Sequence, residues 1–252
     1  VRVATWNVNS LRARVDSVAR WLEEQAPDVL CMQETKVVDE DFPEELFVAR
    51  GYQVVHWGTS QWNGVAIAAR APIAEVERGL SGGEDEEARA IAGTVLGVRV
   101  YSVYVPNGRA LDDPHYRYKL EWLDALRARV ATELARGPLV VAGDFNVAPG
   151  DRDVWDPSAL EGATHVSPPE REAISRIIAL GLVDGVRALA GDEEAFTWWD
   201  YRQGAFRRNL GMRIDLVLVS SDLAPREFLV DRAARGWPRP SDHAPVIVDL
   251  DR

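Results

Sequence analysis

Pro138–Asn146 reads PLVVAGDFN. Residues 138–143 form an unbroken apolar run, as expected of a strand at the centre of a sheet covered on both faces. The run then stops at Asp144, with Asn146 close behind. A carboxylate beside a buried strand is costly unless it is paired, hydrogen-bonded or metal-bound. One short stretch thus predicts a doubly covered sheet and a polar site at its edge.

Outward from it, the pattern repeats. VRVATWN (1–7) alternates and is rich in β-branched residues, so it reads as a strand. Leu11, Val15, Val18 and Leu22 then recur at helical spacing, with Pro27 past the helix end. VLCMQ (29–33) is a short buried strand, and YQVVHW (52–57) and GVAIAA (64–69) read as neighbouring strands. AGTVL and VRVYSVYV form a pair turned at Gly97. A second helix carries Leu120, Leu123, Leu126, Val130 and Leu134 on one face, and a third uses Ile174, Ile177 and Ile178. RIDLVLVS (213–220) and APVIVDL (244–250) are late strands, and the polar SGGEDEEA (81–88) reads as an exposed loop. Strands dominate, with single helices between groups of them, and neither a G-x-G-x-x-G nor a P-loop occurs. This order predicts an α/β fold of two sheets packed face to face with helices outside. No Pro-, Gly- or Ser-rich linker divides the chain, so residues 1–252 count as one domain.

Bulk properties limit the function classes. The chain has 252 residues, 46% hydrophobic and 27% charged, ordinary values for a globular protein. No apolar run approaches the roughly 20 residues that span a bilayer, and the first residues read as a strand, not a signal peptide. Cys31 is the only cysteine, which excludes an internal disulfide and fits a reducing, cytoplasmic setting. The net charge of -11 by itself argues mildly against a nucleic-acid partner. A cation bound among the acids offsets part of that charge. Lys36 and Lys119 are the only lysines, so arginine, with its planar phosphate-matching fork, carries nearly all the positive charge.

The informative positions are those where apolar strands end in polar residues: Asn7 and Asn9, Glu34, Tyr104 and Asn107, Asp144 and Asn146, Asp215, and the Asp242–His243 pair fenced by Pro240 and Pro245. Each alone could be a turn or a cap; together they predict a site at one edge of a sheet sandwich. All-oxygen ligands suit a hard cation such as Mg²⁺ or Mn²⁺. The Asp–His pair adds proton transfer or electrostatic stabilisation. No Ser or Cys sits in a nucleophile elbow, so hydrolysis of a phosphodiester by an activated water is the economical reading.

The motifs WNVNSLRAR, QETK, YVPNG, GDFNVAP, RIDLVL and SDHAPV occur in that order along essentially the whole chain. Together with FTWWDYR they resemble the exonuclease III family of apurinic/apyrimidinic endonucleases, within the endonuclease/exonuclease/phosphatase superfamily. The resemblance implies a four-layered α/β-sandwich of two mixed β-sheets flanked by helices. It implies a Mg²⁺-dependent nuclease, with Mn²⁺ as a substitute, that cleaves 5′ to abasic sites. Exonuclease, 3′-phosphatase and 3′-phosphodiesterase activities are implied as well. The implied partner is double-stranded DNA with abasic sites or damaged 3′ ends, met by a monomer away from membranes.

Carried over residue by residue, the resemblance makes Glu34 the principal metal ligand, with Asn7 and Asp242 at the metal or its water. Asp144 orients or deprotonates the attacking water, with Asn146 as its partner. His243 contacts the phosphate, Asp215 orients His243, and Tyr104 and Asn107 reach the phosphate. Trp198, Met212 and Ile214 match walls of an apolar sugar pocket. Arg12, Arg14, Lys36, Arg109, Arg202, Arg207 and Arg208 are candidate DNA contacts. The rival readings are a nuclease specialised in 3′ ends, a phosphatase of inositol phosphates or lipids, and a non-catalytic DNA-binding relative.

Overall fold

The structure is a computed structural model that describes residues 1–80 and 87–251. Most of the SGGEDEEA stretch lies outside the described residues; its last residue, Ala88, is fully buried. The strands, in chain order, are β1 (Arg2–Asn7), β2 (Val29–Gln33), β3 (Gln53–Trp57), β4 (Val65–Ala69), β5 (Ile73–Arg78), β6 (Ala90–Val95) and β7 (Val98–Tyr104). They continue with β8 (Leu139–Asp144), β9 (Leu182–Asp184), β10 (Trp198–Trp199), β11 (Gly211–Met212), β12 (Asp215–Ser220), β13 (Ala224–Val230) and β14 (Val246–Asp251).

Among the described residues these strands form two six-stranded sheets, ordered β13-β14-β1-β2-β4-β3 and β5-β6-β7-β8-β12-β9, plus a β10-β11 ribbon. Both sheets are mixed: β1 is parallel to β2 and antiparallel to β14, and β8 is parallel to β7 and antiparallel to β12. Every residue of β8 is buried, as its apolar run requires. Inward faces of the two sheets share one core, including Val3, Val29, Ile67, Val100, Val140, Val217 and Val248. The second sheet packs its outer face on helices Pro114–Leu134 and Pro168–Ile178, through Leu123, Leu126, Ile174 and Ile177. The first packs on helix Val15–Gln25 through Val18, Trp21 and Leu22. The result is four layers, helix–sheet–sheet–helix. No helix among the described residues is long and apolar enough to cross a membrane.

Local chemistry sets the helix starts. Asp113 caps helix 114–134 by accepting from His115 N, with Pro114 at the first position. Ser167 and Glu170 form a capping box for helix 168–178. Strands β5 and β13 were not legible from periodicity. Both lie at sheet edges, and IAEVER and APREFLV have few buried positions. With so little burial, an edge strand leaves only a weak period-2 signal.

Candidate active site

The topology brings the polar strand ends of both sheets to one rim. Strand β8 ends where antiparallel β12 begins, so the register sets Asp144 opposite Asp215 on one side and Tyr104 on the other. Gly143 permits this: a Cβ there would stand 1.9 Å from the Val103 carbonyl oxygen. In the first sheet, parallel β1 and β2 end together at Asn7 and Gln33, and Glu34 follows. Asn7 ties the sheets together, its Nδ2 donating to Glu34 Oε1 at 2.8 Å and to Asp144 Oδ2 at 2.9 Å.

His243 enters from the segment before β14. Ser241 Oγ donates to the Asn7 carbonyl at 2.7 Å and accepts from His243 N at 3.2 Å. Trp6 Nε1 donates to the His243 carbonyl at 3.2 Å. The imidazole Nδ1 donates to Asp215 at 2.9 Å, and Nε2 lies 3.7 Å from Asp144 Oδ2. Asp215 also accepts from Thr197 Oγ1 at 2.6 Å. Asn146 donates from its backbone N to Asp144 Oδ1 at 2.9 Å and from Nδ2 to the Val105 carbonyl at 3.0 Å. Asn107 Nδ2 donates to Asn146 Oδ1 at 3.3 Å.

Electrostatics follow from this crowding. Burial pushes Asp144 up to about 7; the charges of Asp215 and Glu34 add to the rise, and His243 opposes it. Burial acts to lower His243, but Asp215 and Asp144 overcome it and hold the imidazolium up to about 10. Burial, then Glu34 and Asp144, push the Tyr104 phenol well above its ordinary value, and its hydroxyl hydrogen-bonds Glu34. Backbone strain collects here too. Glu34 and Asn146 have φ of 49° and 50°; for Glu, unlike Asn, the left-handed region is unfavourable, at a cost of about 1–3 kcal/mol.

Glu34, Asp144 and His243 each offer a ligand atom within 4.8 Å of the others, a group that could hold a metal ion. The donor chemistry fits a hard cation. Glu34 and Asp144 supply two carboxylates, the usual protein share of a Mg²⁺ site completed by water and substrate oxygens. Three buried or half-buried carboxylates against one imidazolium and the Lys36 ammonium still leave negative charge that a cation would offset. Asn7 Nδ2 donates to both carboxylates, and its Oδ1 accepts from Asn9 N at 3.0 Å. Asp242 stands apart from the group: Oδ1 accepts from Asn9 Nδ2 at 2.9 Å and Oδ2 from Trp198 Nε1 at 3.0 Å.

Residues 4–243 match the model of the endonuclease/exonuclease/phosphatase family. The chain is 35% identical to an exodeoxyribonuclease of Bacillus subtilis, over 98% of each, and 33% identical to exodeoxyribonuclease III of Haemophilus influenzae, over 99% of this chain and 100% of the other. It belongs to the exonuclease III family. Two solved structures superpose with a TM-score of 0.97 over the whole of this chain and 99% or more of the other. One is a 3′ phosphatase from Neisseria bound to product DNA hairpin, 41% identical; the other is an AP endonuclease from Archaeoglobus fulgidus, 39% identical.

Around the rim of this exonuclease III family member, Trp198 and Met212 pair across the β10-β11 ribbon and line a cleft of about 340 Å³ with Trp155, Leu160 and Leu210. Ile214 is 1% exposed; it packs in the apolar cluster behind Met212 and does not line that cleft. Lys36 Nζ sits 2.8 Å from Glu34 Oε2 and 2.7 Å from Asn9 Oδ1. Arg109 is 66% exposed in its side chain, outside the carboxylate cluster. Arg14 is engaged internally with Asn9, Tyr201 and Pro240, whereas Arg12 and Arg202 pair with Asp41 and Asp200.

Sequence reading missed the layer beneath the site. Lys119 is fully buried; its Nζ donates to the Asn146 carbonyl at 2.6 Å, to the Asn107 carbonyl at 3.2 Å and to Glu170 Oε1. Glu170 also accepts from His165 N at 2.9 Å and Ser167 Oγ at 2.5 Å. One ammonium thus holds the backbones of both Asn107 and Asn146. The chain has two lysines, and the structure sets one on Glu34 and the other under Asn146. Thr197 and Ser241, which fix Asp215 and His243, carried no signal in the sequence.

Proposed function

We propose that this chain is a DNA-repair nuclease that requires a divalent cation, Mg²⁺ with Mn²⁺ as substitute. It hydrolyses the phosphodiester 5′ to abasic sites in double-stranded DNA and processes damaged 3′ ends as exonuclease, phosphatase and phosphodiesterase. The observation that carries this reading is the meeting of Glu34, Asp144, Asp215 and His243 at one rim shared by two sheets.

Glu34 and Asp144 would hold the cation, which when bound offsets charge developing on the phosphate and the leaving oxygen. Asp144, fixed by Asn7 and Asn146, orients a water and takes its proton as that water attacks phosphorus. The backbone N–H and amide of Asn146 fix the Asp144 carboxylate. His243, held by Asp215, directs Nε2–H at a phosphate oxygen and stabilises the negative charge that grows there. Tyr104 keeps its proton and hydrogen-bonds Glu34 with it, a neutral group beside the phosphate. Asn107 braces Asn146, and Lys36 sets Glu34. Asp242 holds Trp198 at the apolar cleft, where Trp198 and Met212, backed by Ile214, receive a sugar without a base. Arg109 meets the DNA backbone. One copy of the chain carries all these groups, so a monomer suffices.

The test is a duplex with a single tetrahydrofuran site, incubated with Mg²⁺ and with EDTA. A Mg²⁺-dependent nick 5′ to the lesion is expected; its absence overturns the abasic-site reading. A second reading, specialisation in 3′ ends with weak abasic-site activity, is favoured by the 41% identity to the Neisseria 3′ phosphatase. Release of phosphate from a recessed 3′-phosphate end without the nick selects it.

A further inference from the structure

We propose that the cleft walled by Trp62, next to the catalytic rim, is a subsite for a nucleobase released from pairing, the base on the 5′ side of the scissile phosphate. The proposal rests on the nuclease reading and adds a specificity element to it. Trp62 is the most exposed large apolar side chain among the described residues, at 65%. Its loop is nevertheless held firmly. Ser60 Oγ accepts from Trp62 N at 3.1 Å, Thr35 N donates to the Gly64 carbonyl at 3.2 Å, and Lys36 N donates to the Asn63 carbonyl at 2.9 Å. Gly64, at φ 91°, lies so close that a Cβ would stand 2.2 Å from Thr35 Oγ1. The loop is thus docked on the segment that carries Glu34 while its indole stays in solvent. Ordered exposure of a large apolar group marks a contact surface.

The cleft, of about 650 Å³, is also lined by Arg89, Tyr104, Asn107, Arg109 and His115. Tyr104 and Asn107 belong to the catalytic rim as well, so an occupant is continuous with whatever Asp144 faces. Arg89 is occupied by Glu87 at 2.5 Å, whereas among the described residues the Arg109 guanidinium pairs only with Asp113, at 4.0 Å, and can turn to a phosphate. His115 adds an imidazole to the cleft wall. An exposed indole beside a loosely paired arginine suits a base and its phosphate. The 5′ side is chosen because abasic-site cleavage and 3′-end processing both leave a base-bearing nucleotide there. Stacking on an indole accepts any base, since each has a π face.

The experiment uses duplexes in which the nucleotide on the 5′ side of the scissile phosphate carries either thymine or no base (tetrahydrofuran). Wild type, Trp62→Ala and Trp62→Phe are compared by kcat/KM for the product cut at the shared scissile phosphate, separated by length from any nick 5′ to the added tetrahydrofuran, with thermal unfolding as the folding control. Wild type should favour the thymine duplex about tenfold, the scale of one base–aromatic stack. Trp62→Ala should lose that preference while its rate on the base-less duplex stays at the wild-type level, and Trp62→Phe should recover most of it. A wild-type preference that survives in Trp62→Ala, or equal losses on both duplexes, overturns the subsite. If wild type hydrolyses neither duplex, the nuclease reading itself fails, and the subsite with it.

Discussion

At the scale of single residues, a few side chains define the chemistry. His243 is fixed through both ends, by Asp215 on the ring and by Ser241 and Trp6 on its backbone. Replacing His243 by Ala, or Asp144 by Asn, should cut turnover by about 10²–10⁴-fold, the usual weight of one acid–base or electrostatic group. Denaturation midpoints will show whether the fold survives, and near-wild-type turnover in either variant contradicts the assignment. Glu34→Gln should instead shift the Mg²⁺ titration to higher concentration; superimposable titrations would remove Glu34 from the metal. His165 titrates outside this cluster. Burial, and then the charge of Lys119, push its pKa down to about 3. Above the unfolded value of 6.5, neither state is protonated. As pH falls below it, the unfolded chain takes up a proton that the fold refuses, so stability is lost from about pH 6.5 down to about 3. Between pH 6.5 and 5 the loss is about 2 kcal/mol. His165→Asn tolerates the left-handed backbone at φ 77° and should flatten that slope in urea unfolding; an unchanged slope would place the acid sensitivity elsewhere.

At the scale of elements, register does the positioning. The β7–β8–β12 pairing aligns Tyr104, Asp144 and Asp215, and the loop after β8 is pinned from below by Lys119 on helix 114–134. Truncating that side chain strands Glu170 as a buried charge. Lys119→Met should therefore cost about 3–5 kcal/mol in denaturant unfolding and lower kcat together with stability. A loss below 1 kcal/mol would mean that the clamp is slack. This layer also shows what the sequence made legible. The apolar run 138–143 and the polar residues ending it announced β8 and the site, because burial on both faces leaves no other composition. Lys119 did not announce itself: a lone lysine on a helix reads as a surface residue, and Glu170 reads only as the acid of a capping box. Both become intelligible once helices 114–134 and 168–178 pack on the same sheet. Strands β5 and β13 stayed hidden for the opposite reason, since little of either is buried.

At the scale of the whole molecule, a chain of net charge -11 has to meet a polyanion. Long-range attraction cannot come from the total; in the proposed mechanism it comes from a cation at the carboxylates and from a few arginines near the rim. Binding of the Asp144→Asn protein to duplex DNA should fall as salt rises, and Arg109→Ala should reduce the slope of log K against log salt by about 1. An identical slope in anisotropy titrations would take Arg109 off the DNA. In the proposed reading, two sheets deliver their polar strand ends to a single cation-dependent hydrolytic centre. Its most direct test is the hydrolysis of one duplex carrying both a tetrahydrofuran site and a recessed 3′-phosphate, followed with Mg²⁺, with EDTA, and with the Asp144→Asn protein. Hydrolysis of at least one of the two phosphoesters with Mg²⁺, and of neither in the other two conditions, is the predicted result. Undiminished hydrolysis in EDTA or by Asp144→Asn would contradict it.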